Sequence, residues 1–175
     1  MSCLLMRRPN LDDLPAMPSL EEGYQLRLAQ PGEAEAIAVL LQGAFDDTEW
    51  TVDKVRKELL DAKDVVKTFI VDYRGVSVAT ASLRISDEFP GSGYLHWVAS
   101  HPAHRRKNLG LVVCLACMYA ARERSCSSAV LETQEMRIPA IGLYKKLGFE
   151  PVYREPSDGE RWLLVLSNLA AAINL

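Results

Sequence analysis

Arg105, Arg106 and Lys107 form a run of consecutive cations, followed by Asn108, Leu109 and Gly110 and then by the apolar stretch LVVCLACMYAA. Side chains of this kind at the mouth of a buried helix suit an anion. The first N–H groups of a helix have no intrahelical acceptor, point the same way and sit at the positive end of the helix dipole. Cations placed there oppose that dipole unless an anion lies between them. Successive loop amides can wrap the same anion as a nest. Gly110 permits close backbone approach, and Asn108 is among the few non-glycine residues that tolerate left-handed angles. His96 lies a few residues upstream, and an imidazole with a pKa of about 6.5 suits a base at neutral pH. Strand alternation places it on one face with Tyr94 and Val98, opposite Trp97. Asp87 and Glu88 are rival bases acting through water, while His101 and His104 belong to the loop. A G-x-x-x-x-G-K-[ST] phosphate loop is missing, which removes the nucleotide-hydrolase reading.

The rest of the chain must be an ordinary globular frame for this site. Its 175 residues suffice for one domain with a core. The formal charge of −3 gives no global attraction to nucleic acid or to anionic membrane, so the cations act locally. Cys114 and Cys117 have the spacing of a zinc knuckle, but they sit inside the apolar run and no second ligand pair matches them. We therefore expect no metal, and four reduced cysteines suited to the cytoplasm. No stretch reaches the roughly 20 apolar residues that cross a bilayer.

Residues 1–22, with Pro9, Pro15 and Pro18, read as an extended arm, and residues 23–175 as a single domain. YQLRLA predicts a first strand. PGEAEAIAVLLQGAF predicts an amphipathic helix opened by Pro31, and Thr51 can cap a second helix running to about Ala62. VVKTFIVDYRGVSVATASLRI is a hairpin, YLHWVAS a further strand, and residues 109–124 a central buried helix. SAVLET, RIPAIGLYKKLG and RWLLVLSN then predict strand, helix and strand. The order βααβββαβαβ describes an α/β (α+β) protein with a mixed sheet flanked by helices.

At VASHPAHRRKNLG the sequence resembles the acyl-CoA signature of the GNAT superfamily of N-acetyltransferases. There a strand ending near V-x-x-x-P leads to R/Q-x-x-G-x-G/A at the mouth of the central helix. Arg105 takes the R/Q position, Asn108 stands where the first glycine usually is, and Gly110 fills the last. Downstream, RIPAIGLYKKLGFEPV is similar to the family's N-x-x-A-x-x-x-Y-x-x-x-G-F segment, with Ala140, Tyr144, Gly148 and Phe149 in place and Arg137 replacing the usual Asn. The resemblance covers residues 24–167 and implies a mostly antiparallel, twisted GNAT sheet.

It implies acetyl-CoA as co-substrate, lying along Val98, Ala99 and Ser100, with Val98 and Ser100 pairing with the pantetheine arm. Arg105, Arg106, Lys107, Asn108, Leu109, Gly110 and Leu111 would hold the pyrophosphate, and Arg137 belongs to the same set. It also implies direct acetyl transfer to a primary amine in a ternary complex, with Tyr144 as general acid and a strand histidine, here His96, as base. The acceptor is a small-molecule or peptide amine. FDDTEW, between the first two helices, offers Asp46, Asp47, Glu49 and Trp50 to such a cation, or is a solvated acidic loop that caps the next helix. A non-catalytic acyl-CoA-binding module stays open as the alternative, and a homodimer is left open too. Nucleic acid and membrane are not expected partners.

Overall fold

The computed structural model describes residues 3–173. Its strands are β1 (Leu4–Arg8), β2 (Tyr24–Leu28), β3 (Val65–Tyr73), β4 (Val76–Arg84), β5 (Ser92–Ser100), β6 (Ser128–Thr133) and β7 (Glu150–Val152). Its helices are α1 (Ala34–Phe45), α2 (Val52–Val55), α3 (Leu109–Glu123), α4 (Ile138–Lys146) and α5 (Asp158–Ile173). The strands form one sheet in the order β2-β3-β4-β5-β6-β1-β7. Every pairing is antiparallel except β5 with β6.

Adjacent residues on the central strands serve opposite faces, as strand alternation requires. Val71 joins a large core with α3, whereas Ile70 joins a second core with Ile37, Leu41, Trp50 and Leu59 from α1 and the segment after it. Gly93 on β5 lets α3 lie close, because a Cβ there would come within 2.5 Å of the Ala121 Cβ. Thr51 caps α2 as expected, its Oγ1 accepting from the Lys54 N–H at 3.2 Å. The helix then widens into a π turn over Arg56–Leu60 instead of continuing regularly to Ala62.

Two expectations are corrected. The segment 1–22 is not simply an extended arm, since Leu4–Arg8 is a strand in the sheet interior, paired with β6 on one side and β7 on the other. Its side chains explain this. Leu4 and Met6 are fully buried in the α3-side core, and Leu5 packs on the other face with Tyr94 and Val130. The last expected strand, RWLLVLSN, lies within helix α5. Trp162 and Val165, three residues apart, are buried, while Leu163 and Leu164 between them are 68 % and 61 % exposed. That is helical periodicity, masked in the sequence by an unbroken apolar run.

Candidate active site

The parallel pair β5–β6 stays in register only from Ser92/Ser128 to Leu95/Leu131. Beyond it the strands part, so β5 from His96 to Ser100 keeps a partner on its β4 side alone. On that side Ser82 faces His96 and Thr80 faces Ala99, two steps on β4 against three on β5. The extra residue is a bulge, and Trp97 adopts a left-handed φ of 51°. Bulge and splay together expose a strip of backbone donors and acceptors, including those of Val98 and Ser100, to whatever enters between the strands.

The strip leads to the cationic loop. Arg106 and Asn108 have φ of 61° and 58°, so the loop turns left-handed on either side of Lys107, an arrangement able to orient successive amides inward. Asn108 is the residue preceding α3, and its carbonyl accepts the Val112 N–H at 3.0 Å, leaving the amides before Val112 outside the helical ladder. Gly110 sits where a Cβ would approach Leu143 Cδ2 at 3.1 Å and Ser100 Oγ at 3.7 Å, which joins the loop to the end of β5 and to α4. Lys107 is already paired with Glu21 at 2.5 Å, whereas no ion pair engages Arg105 or Arg106 among the described residues. His104 is held by the Tyr24 hydroxyl at 2.8 Å and so belongs to the support of this loop. Asn108→Val should cost ~1–2 kcal/mol of folding stability, the strain of a β-branched residue at this left-handed angle, whereas Asn108→Gly keeps the angle without that strain. Urea unfolding compares the two, and equal midpoints would mean that the left-handed angle is not what Asn108 supplies.

A cavity of about 490 Å³ opens at the splay, lined by His96, Trp97, Val98, Glu132, Arg137 and Tyr144 among others. Alternation does not separate Trp97 from His96 here. The bulge puts His96, Trp97 and Val98 all on the cavity, which corrects the expected opposition of faces. Tyr144, on α4, is 6 % exposed with its ring edge-on to Phe149, and burial pushes its phenol well above the usual range, with Cys114 adding and Arg137 opposing. Its hydroxyl has no hydrogen-bond partner among the described residues.

His96 packs against the rings of Tyr94 and Trp97. Burial, and then the Arg84 guanidinium, hold its pKa down at about 3, and its Nδ1 is buried without a partner. It is therefore neutral throughout the physiological range. An unfolded histidine titrates near 6.5, so below that pH the unfolded chain binds a proton that the folded one refuses. This contribution to stability is complete above about 6.5 and is lost at ~1.4 kcal/mol per pH unit as the pH falls towards 3. Denaturant unfolding of wild type and His96→Gln across this range should show the variant losing less stability on acidification; parallel curves would mean that His96 is not shielded.

Of the acidic loop, Asp47 reaches the cavity, while Trp50 is 1 % exposed and packs edge-on against Trp97 at 4.4 Å. Asp46 closes α1 in a left-handed conformation, and Glu49 is exposed. Asp87 and Glu88 are not among the cavity residues. The sequence reading missed Glu132, whose carboxylate accepts from the Tyr94 hydroxyl at 3.2 Å and pairs with Arg154 at 2.9 Å. The signal was a charge inside an otherwise apolar strand. Phe45 and Cys3 also line the cavity and were unmarked.

A bulged strand, a splayed parallel pair and a left-handed loop at the start of the central helix thus follow one another along β5 and into α3. Residues 34–149 match the model of the Acetyltransferase (GNAT) family, and the chain belongs to that family. It is 26 % identical over 152 residues to a mycothiol acetyltransferase of Thermomonospora curvata, covering 83 % of this chain and 50 % of that protein. A mycothiol acetyltransferase of Saccharomonospora viridis is also 26 % identical, over 158 residues, 77 % of this chain and 48 % of its own length. The chain thus spans about half the length of these curated relatives. Among solved structures, a GCN5-related N-acetyltransferase from Sphaerobacter thermophilus superposes with a TM-score of 0.66 at 18 % identity, over 87 % of this chain and 50 % of that one. The ribosomal-protein-S18-alanine N-acetyltransferase of Escherichia coli gives 0.64 at 18 %, over 74 % and 79 %. These likenesses establish the fold. No helix among the described residues is long and apolar enough to cross a membrane.

Proposed function

We propose that the chain transfers an acetyl group from acetyl-CoA to a primary amine by direct attack in a ternary complex. One arrangement supports this reading: the β5 strip freed from β6 lends His96, Trp97 and Val98 to the cavity that Tyr144 also lines, and its end at Ser100 approaches Gly110 of the left-handed loop. Acetyl-CoA supplies the activated thioester. The amides of the nest suit its pyrophosphate, with Arg105 and Arg106 adding charge. Val98 and Ser100 offer the pantetheine an edge to pair with, and the Val98 N–H suits the thioester carbonyl, where charge develops during attack.

Tyr144 donates its proton or hydrogen bond to the departing thiolate. His96, held neutral, accepts a hydrogen bond from the attacking amine, and the proton the amine loses as the amide forms passes to solvent, from which Tyr144 regains the one it gives to the thiolate. Orientation of the two substrates supplies most of the acceleration, and no covalent enzyme intermediate is needed. The four free thiols fit a reducing cytoplasm as the setting.

Thermal unfolding with near-millimolar acetyl-CoA, CoA or neither, followed by thiol release across a panel of amines, tests the reading. Stabilisation by both CoA species and amine-dependent thiol release are expected. No stabilisation would overturn acetyl-CoA binding, and stabilisation without release under any amine would leave a binding module only.

A further inference from the structure

The guanidinium of Arg137 lies over the Phe45 ring at 4.6 Å, lines the cavity, and has no hydrogen bond or ion pair among the described residues. That is unusual within this molecule. Arg27, Arg84 and Arg161, half-buried like Arg137, each face at least one carboxylate. A partly desolvated guanidinium without a counter-ion is costly, and its planar fork matches a carboxylate with two parallel hydrogen bonds. Across the same cavity Asp47 also lacks a cation, its carboxylate accepting only the Glu49 N–H at 2.9 Å, and the two charges do not pair with each other. Glu132 is different, being already neutralised by Arg154. The cavity therefore offers one unanswered positive and one unanswered negative charge, with Phe45, Trp50 and Trp97 as aromatic wall.

We propose that Arg137 binds a carboxylate carried by the amine acceptor, so that the acceptors of this chain are small amino-carboxylates with an apolar or aromatic side chain. This rests on the acetyltransferase reading and deepens it. The size agrees, since about 490 Å³ lies within the roughly 300–1,000 Å³ of small-molecule sites. The position agrees as well. Arg137 immediately precedes α4 and reaches Phe45 at the end of α1, so it spans the cavity from the side that carries Tyr144 to the side that carries the acidic loop. Asp47 attracts the ammonium end during approach, and the carboxylate on Arg137 fixes which way the amine points.

The test compares L-phenylalanine with phenethylamine, which lacks only the carboxylate, as acceptors for acetyl-CoA in the wild type, Arg137→Gln and Arg137→Lys. In the wild type phenylalanine should be preferred at least about tenfold in kcat/KM, the range of a lost charged hydrogen-bonded contact. Arg137→Gln should collapse that preference to within about twofold, the KM for phenylalanine rising more than that for phenethylamine, and Arg137→Lys should restore part of it. Acetylation of phenethylamine with no preference for phenylalanine, or a preference that survives in Arg137→Gln, overturns the inference alone. A KM for acetyl-CoA that rises in Arg137→Gln assigns the guanidinium to the cofactor, and faster transfer from succinyl-CoA than from acetyl-CoA assigns it to the acyl chain; each overturns the acceptor role. No transfer to either amine, with no amine-dependent thiol release from any other acceptor, overturns the acetyltransferase reading itself.

Discussion

Tyr144→Phe is expected to lower kcat about 10²-fold while the affinity for CoA and the midpoint of thermal unfolding stay unchanged. The reasoning begins with what the substitution leaves in place. The ring is 94 % buried and meets Phe149 edge-on at 6.1 Å, so phenylalanine keeps both its volume and this contact. The hydroxyl has no protein partner among the described residues, so its removal orphans no buried donor or acceptor. What disappears is one O–H from a residue that lines the cavity where β5 and β6 part. Burial raises the phenol's pKa, and the group therefore holds its proton throughout the neutral range. A phenol in that state stabilises a departing thiolate by donating to it, and it does so only as charge appears on sulfur, which places the loss in kcat and not in binding. Steady-state kinetics with a saturating amine, alongside calorimetric titration of CoA, separate the two. An unchanged kcat would remove Tyr144 from the mechanism.

The motif residues were legible because their chemistry is local. RRKNLG specifies a left-handed turn, a run of charge and a helix start within six residues, and Asn108 indeed has a φ of 58°. The αβ order was legible over the middle of the chain, where period-2 and period-3.6 patterns alternate cleanly. It failed at the ends for two distinct reasons. RWLLVLSN presents five apolar residues in a row, and nothing local says which of them face the core; packing against the α3-side cluster selects Trp162 and Val165 and so selects helix. The cavity was the least legible part. Its walls come from Phe45, from His96, and from Glu132 and Arg137, three separate stretches of sequence that meet where β5 bulges at Trp97 and separates from β6. A left-handed tryptophan inside a strand has no sequence signature, since tryptophan there opposes the intrinsic preference of the backbone.

The strand at the chain's beginning sets the second large expectation. CLLMRRP is short and is followed by proline and acidic residues, a context that reads as an arm. Yet β1 lies between β6 and β7 in the sheet, hydrogen-bonding to both. Leu4 and Met6 point into the α3-side core without exposure, and Arg8, at the strand's end, reaches the carbonyl of Leu147 at the C-terminus of α4 and pairs with Asp13 at 2.6 Å. The strand thus fixes the position of the helix that bears Tyr144 from below. Leu4→Ala and Met6→Ala should each cost about 2–5 kcal/mol by removing fully buried side chains from a close-packed site. Because a domain's whole stability is about 5–15 kcal/mol, the double substitution should leave little folded protein at 37 °C, whereas an unattached arm would tolerate both changes within about 0.5 kcal/mol. Urea unfolding followed by tryptophan fluorescence reads this directly, since Trp162 is buried in the same core. Near-wild-type midpoints in both single variants would return residues 4–8 to the surface and detach them from the site.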